Sequence, residues 1–225
     1  IKRMAVDRLH IVGDIFDRGP CADQILDLLM KYHSLDIEWG NHDILWMGAA
    51  AGSKACIANV VRNNLKYDNT EILENSYGIS LRKLTLYSEK LYPGVEPMEA
   101  AVKAITVMLF KLEGQVIARH PEYEMDDRRL LHRIHWENHT VELEGKTYEL
   151  TETEFPTIDP ADVYRLSDEE EEIMDELCMA FVNSSRLNEH IRFLYKKGGM
   201  YKTFNGNLLY HGCIPLDNEG NFEGI

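Results

Sequence analysis

Residues 9–18 read LHIVGDIFDR, and this stretch limits the fold more tightly than any other. A short apolar run, Leu9 to Val12, stops at Gly13-Asp14; a second acid follows at Asp17, with Arg18 directly after it. A run this short, bounded by Gly-Asp, predicts a buried strand. Turn chemistry accounts for the Gly and one Asp, but not for a second carboxylate and a guanidinium. The pattern then recurs: Leu35 to Trp39 predicts another strand, ending at Gly40-Asn41-His42-Asp43. Between the two, Pro20 is placed to open a helix with Ile25, Leu28 and Leu29 as its apolar face. Strand, loop, helix, strand, loop is the logic of a βαβ unit and of an α/β fold. Both polar loops then sit at the carboxyl ends of strands, where ligands bind in such sheets.

The chain after Ile44 is mostly helical in pattern as far as about Tyr92, and Met98 to Glu113 is a further apolar-periodic segment. Thr140 to Leu150 alternates around Gly145 and predicts a hairpin. Ser167 with Glu170 predicts a capping box opening a helix towards Val182, and another helix should end at Gly198-Gly199. Tyr201 to Phe204 and Asn207 to Tyr210 flank Asn205-Gly206, the dipeptide of a type I′ turn. That hairpin delivers His211-Gly212.

Charge narrows the function classes. With 24 basic against 38 acidic residues the net charge is −14, which repels nucleic-acid backbones and anionic membranes. Phosphate esters remain open as ligands, because bound cations can supply the positive charge locally. No apolar run reaches the ~18 residues a membrane-crossing helix needs. Cys21, Cys56, Cys178 and Cys213 lie far apart with no CxxC pair, as expected for reduced packing thiols of a cytoplasmic protein.

Three loops thus share one description: each follows a predicted strand and exposes groups that ligate metals, Asp14 with Asp17, Asn41 with His42, and His211. A carboxylate, an amide oxygen and an imidazole suit Mn²⁺, Fe or Zn²⁺ better than Ca²⁺. Arg18 has a planar fork that matches phosphate oxygens.

In order along the chain, Gly13-Asp14-Ile15-Phe16-Asp17-Arg18, Gly40-Asn41-His42-Asp43 and His211-Gly212 resemble the second, third and fourth signatures of the calcineurin-like metallophosphoesterases. Residues 33–60 (HSLDIEWGNHDILWMGAAAGSKACIANV), 155–160 (FPTIDP) and 205–216 (NGNLLYHGCIPL) are similar to one branch, the class III fructose-1,6-bisphosphatases of Firmicutes. The resemblance implies part of a metallophosphoesterase β-sandwich core, residues 1–47 and 201–225, interrupted by a long, mostly helical insertion over 48–200. It implies hydrolysis of a sugar bisphosphate, fructose 1,6-bisphosphate, in gluconeogenesis, with two divalent cations, Mn²⁺ foremost, and a bridging hydroxide as nucleophile. By the same resemblance Asp14, Asn41 and His211 are metal ligands and Arg18 holds the phosphate. His42 is the general acid, and Asp17 orients it. A homo-oligomer is compatible with it, and neither nucleic acid nor membrane is expected as a partner.

The family's Asp-x-His and Gly-His-x-His signatures do not occur; Asp7-Arg8-Leu9-His10 has the wrong spacing and falls in or beside the first strand. Read this way, Ile1–Ile225 is a fragment, expected to be inactive alone. Competing readings are a protein Ser/Thr phosphatase, a nucleotide phosphodiesterase, or a non-catalytic interaction domain. Gly48 to Lys54 lacks the P-loop spacing and reads as a small-residue helix packing on a neighbour. His132, His135 and His139 lack a matching carboxylate or thiol partner and read as a surface or packed cluster. Lys196-Lys197 reads as a complement to a helix C-terminus.

Overall fold

A computed structural model describes residues 6–223; the chain ends Ile1 and Ile225 lie outside the described residues. The two predicted strands form as β1 (Leu9–Ile11) and β2 (Leu35–Glu38), paired in parallel with Leu9 opposite Leu35 and Ile11 opposite Ile37. These four apolar side chains join the helical core, whereas His10, Asp36 and Glu38 alternate to the opposite face of the sheet.

Helix α1 (Ala22–Met30) connects the strands and starts two residues after Pro20. Its buried stripe is Ala22, Leu26 and Leu29, spaced four and three apart, together with Asp23. Ile25 and Leu28, expected to face the core, are instead 44% and 69% exposed. The rotation places the expected stripe on the wrong edge: of the three residues named, only Leu29 is buried.

The middle of the chain is helical: α2 (Asn41–Ala50), α3 (Lys54–Lys66), a π-turn (Ile72–Ser76), α4 (Arg82–Leu91) and the long α5 (Pro97–Arg119). Gly48 permits α2 and α3 to close on each other, since a Cβ there would meet the Cys56 Sγ at 2.6 Å. The segment expected to be one small-residue helix is instead the end of α2 (to Ala50), a turn through Ala51–Ser53 and the start of α3 at Lys54; the close packing on a neighbour does occur, at Gly48. Strands β3 (Ile134–His135), β4 (Thr140–Leu143) and β5 (Lys146–Glu149) form an antiparallel sheet, with the expected hairpin turning at Glu144-Gly145.

Helix α6 (Asp168–Asn183) opens with the expected capping box: Glu170 N donates to Ser167 Oγ at 3.2 Å, and Ser167 N to Glu170 Oε2 at 2.8 Å. Glu170 is buried and also receives the fully buried Lys111 Nζ at 2.7 Å. Lys111 Nζ reaches the Thr157 carbonyl too, tying the loop before α6 to α5.

Helix α7 (Ser185–Lys197) ends with Lys196 and Lys197 in its last turn, as expected. Gly198-Gly199 is not a left-handed cap; it runs on in extended conformation as β6 (Gly198–Gly199), parallel to β2 on the side away from β1. A Cβ at Gly198 would lie 2.0 Å from Trp39 Nε1, which donates to the Leu194 carbonyl at 3.1 Å. Close approach, not turn conformation, is what that glycine supplies.

The final hairpin, β7 (Tyr201–Phe204) and β8 (Asn207–Tyr210), turns at Asn205-Gly206 with both φ angles positive, as type I′ requires. Phe204 packs against His10 with the rings tilted and 4.8 Å between centroids, which seats the hairpin beside β1. The fold is thus mixed α/β, with three small sheets and one hydrophobic core, running from Phe16 to Leu194, among the described residues. All four cysteines are free thiols. Cys56 and Cys178 pack against the core, but Cys21 and Cys213 are exposed and so are not the packing residues expected.

Candidate active site

The loops after β1 and β2 meet at a contact that tolerates no side chain. A Cβ on Gly13 (φ +86°) would come within 2.4 Å of the Glu38 carbonyl and of Gly40 N; one on Gly40 would come within 2.0 Å of Asp14 Oδ1. Asp14 itself takes the left-handed conformation, φ 53°, which is uncommon outside glycine and tolerated best by Asn and Asp. Such strain persists only where the surroundings enforce it.

Asp43 enforces it. Fully buried, its carboxylate accepts from Asp14 N at 2.8 Å, Gly40 N at 2.9 Å and Phe16 N at 3.2 Å, so one side chain at the start of α2 holds both loops. Burial pushes its carboxyl above the usual range, with the nearby Asp14 charge adding to that and the three amides opposing it. In the sequence Asp43 is only the last residue of the Gly40-Asn41-His42-Asp43 motif. Its signal was the capping position, three residues after Gly40.

Asp14 then faces two neighbours. Oδ1 accepts from the backbone N of His42 at 3.1 Å, and Oδ2 lies 3.1 Å from His211 Nε2. His211 Nδ1 donates to the Val12 carbonyl at 2.6 Å, a bond across nearly the whole chain that puts a proton on Nδ1 and turns Nε2 towards Asp14. Nε2 and a carboxylate oxygen thus face each other, both groups able to ligate a cation. Asn41 occupies the first position of α2 with an exposed side chain, on the same loop. Carboxylate, imidazole and amide fit a borderline divalent cation.

His42 Nε2 is 3.1 Å from Asp17 Oδ1, but the approach is not aligned as a hydrogen bond, and Asp17 Oδ1 has no such partner among the described residues. Asp14, Asp17 and His42 present ligand atoms within 4.8 Å of one another. Arg18 is 62% exposed; its Nε is 3.6 Å from Asp17 Oδ1, and its guanidinium lies over the ring of Tyr67 at 4.6 Å. All the residues expected at a site therefore gather at the carboxyl ends of β1 and β2, with Arg18 turned towards the end of α3. Tyr67 carried no sequence signal.

His10, expected to lie in or beside the strand, is within β1 and pairs with Asp36 at 2.6 Å. Glu38, 1% exposed, has neither oxygen hydrogen-bonded among the described residues, and burial pushes its carboxyl upward. His132 meets the Tyr164 hydroxyl at 2.8 Å, and His135 and His139 are exposed. Among the described residues none of the three joins a metal-binding group.

The whole chain, residues 1–225, matches the family model described as Firmicute fructose-1,6-bisphosphatase. The chain belongs to this family. It is 50% identical to the class 3 fructose-1,6-bisphosphatase 1 of Clostridium beijerinckii and 49% identical to the class 3 enzyme of Clostridium acetobutylicum, in each case over all of this chain. Identity to the class 3 enzyme of Listeria innocua is 49% over 99% of the chain. The chain spans 37% of the length of each of these relatives. No solved structure matches it. No helix among the described residues is long and apolar enough to cross a membrane.

Proposed function

We propose that this chain is the site-bearing part of a metal-dependent phosphomonoesterase that converts fructose 1,6-bisphosphate to fructose 6-phosphate and phosphate, a cytoplasmic step of gluconeogenesis. The observation that carries the reading is the meeting of Asp14, His42 and His211 at the strand ends, in a chain of this family. Residues 1–47 and 201–225 would belong to the metallophosphoesterase sandwich core, and 48–200 to the helical insertion.

Asp14, Asn41 and His211 would hold divalent cations, with Mn²⁺ the first candidate from the donor set. When bound, such cations polarise phosphoryl oxygens and make water nucleophilic near neutral pH. The chain's own residues do the rest. Arg18 clamps phosphoryl oxygens through its fork. His42 gives a proton to the departing sugar oxygen, and Asp17, 3.1 Å from its Nε2, orients the ring. Asp43 keeps the loops, and so Asp14 and His42, in register.

The cleft beside His42 is walled by α3 and lined by Trp46, Asn63 and Tyr67. The test is His42→Asn in an enzyme of the relatives' full length that includes this chain. Turnover of fructose 1,6-bisphosphate should fall about 10²–10⁴-fold. The loss should be much smaller on p-nitrophenyl phosphate, whose leaving group needs no proton, and metal content should stay unchanged. Equal losses on both substrates would remove His42 as the acid. Failure of the unaltered enzyme to prefer the bisphosphate over protein and nucleotide substrates would remove the substrate.

A further inference from the structure

We infer that His10, Asp36 and Glu38 form a second divalent-cation site, separate from the one at Asp14, that braces β1 against β2 on the sheet face away from the helices. Glu38 is the observation that asks for a ligand. It is 1% exposed, and neither of its carboxylate oxygens has a hydrogen-bond partner among the described residues. A carboxylate buried in this way needs a proton or a cation to stay there. Parallel pairing sets His10 opposite Asp36, and Glu38 comes one step further along the same face of β2. One ligand atom from each of the three lies within 4.8 Å of the other two. On the far side of β2 Glu38 is paired with Gly199, so β6 brings no side chain to meet it.

The chain's own cations do not answer Glu38. Arg8 and His10 both go to Asp36: Arg8 Nε donates to Oδ2, and His10 Nδ1 is 2.6 Å from Oδ1. Burial works against the Asp36 charge, yet the hydrogen bonds from His10 and then Arg8 hold its carboxyl below the usual range. Burial first, and the Asp36 charge next, push Glu38 the other way. Lys196, Lys197 and Lys202 border a depression of about 390 Å³ that Asp36 and Glu38 also line, and none of them is paired with Glu38. One arginine thus balances one of two carboxylates, and a divalent cation seated on His10, Asp36 and Glu38 balances the other.

One imidazole and two carboxylates match Zn²⁺ or Mn²⁺. Ligation displaces the proton that His10 Nδ1 and Asp36 now share, so the ion enters as a proton leaves. His10 stands four residues before Asp14, and Glu38 three before Asn41. An ion across them ties together the two strands whose ends carry the site loops. Buried carboxylates and an imidazole packed against Phe204 suit an ion that holds structure, not one that reacts.

The experiment uses the enzyme at the relatives' full length in an Asp14→Ala background, which weakens the other site and leaves this one intact. Each protein is stripped with a chelator, reloaded with Zn²⁺ and dialysed, and its bound metal and thermal unfolding are measured. Adding Glu38→Gln or His10→Gln should each remove one equivalent of Zn²⁺ relative to the background. Each should also abolish the rise in unfolding midpoint that Zn²⁺ gives the background through this site. Glu38→Gln keeps the shape of the side chain, so its metal-free midpoint should match or exceed that of the background. Equal zinc in the background and in Glu38→Gln, with the same zinc-induced shift, would mean that Glu38 is buried as the neutral acid and would overturn the site. Should Glu38→Gln not fold, the same comparison with His10→Gln decides. Turnover of fructose 1,6-bisphosphate by the unaltered enzyme is read separately, so the two proposals stand or fall independently.

Discussion

Asp43 offers the sharpest test of how the site is built. It receives three backbone N–H groups from two loops while fully buried, so its removal strands three donors in a place water cannot easily reach. Hydrogen bonds to a charged acceptor contribute about 1.5–3 kcal/mol each, but three on one side chain do not add fully. Asp43→Ala should therefore cost about 3–5 kcal/mol, which is in the range of the severe single substitutions. Asp43→Asn separates the oxygens. With its amide oxygen at the Oδ2 position it keeps the Asp14 and Gly40 bonds, and its NH₂ then opposes Phe16 N–H, leaving one buried donor unpaired at about 1–3 kcal/mol. The assay is urea unfolding of the full-length enzyme, with metal content measured in parallel. Both variants should also lose metal, since Asp14 holds its left-handed backbone only while Asp43 pins the amide. A loss below about 1 kcal/mol for Asp43→Ala, or equal losses for Ala and Asn, would refute the reasoning.

Two further outcomes are expected. Lys111→Met leaves Glu170 buried without its cation and should cost about 3–5 kcal/mol by chemical unfolding, most of which Lys111→Met with Glu170→Gln recovers; an additive double variant would count against the pairing. The hydrogen bond from His190 and then the one from Arg186 hold the Asp27 carboxyl below the usual 3.8. A depressed acid stabilises above its unfolded pKa and loses that contribution as pH falls through its folded value, so Asp27→Asn should be destabilised near neutral pH and converge on the parent as pH falls well below 3.8. Unfolding midpoints that stay equally far apart across that range would contradict the assignment.

Much of the frame was legible along the chain because the responsible forces are local. Apolar runs closed by Gly-Asp and Gly-Asn marked β1 and β2, Ser167 with Glu170 marked the start of α6, and Asn205-Gly206 marked the last hairpin; each depends on backbone preferences within about four residues. The gathering of Asp14, Asn41, His42 and His211 was legible for a related reason: each stands in the loop that follows a predicted strand, β1, β2 or β8. Which edge of α1 faces inward was not legible, since Ile25 and Leu28 are as apolar as Leu26, and only packing against the sheet chooses between them. Nor was the extended course of Gly198-Gly199, which Trp39 dictates from 159 positions upstream. The tertiary structure alone decided that Asp43 holds both loops, that the imidazole of His211, held by Val12, reaches Asp14, and that Arg18 leans on Tyr67. Those are contacts between segments far apart in the chain, fixed by how helices and strands close-pack, and no spacing within one segment encodes them.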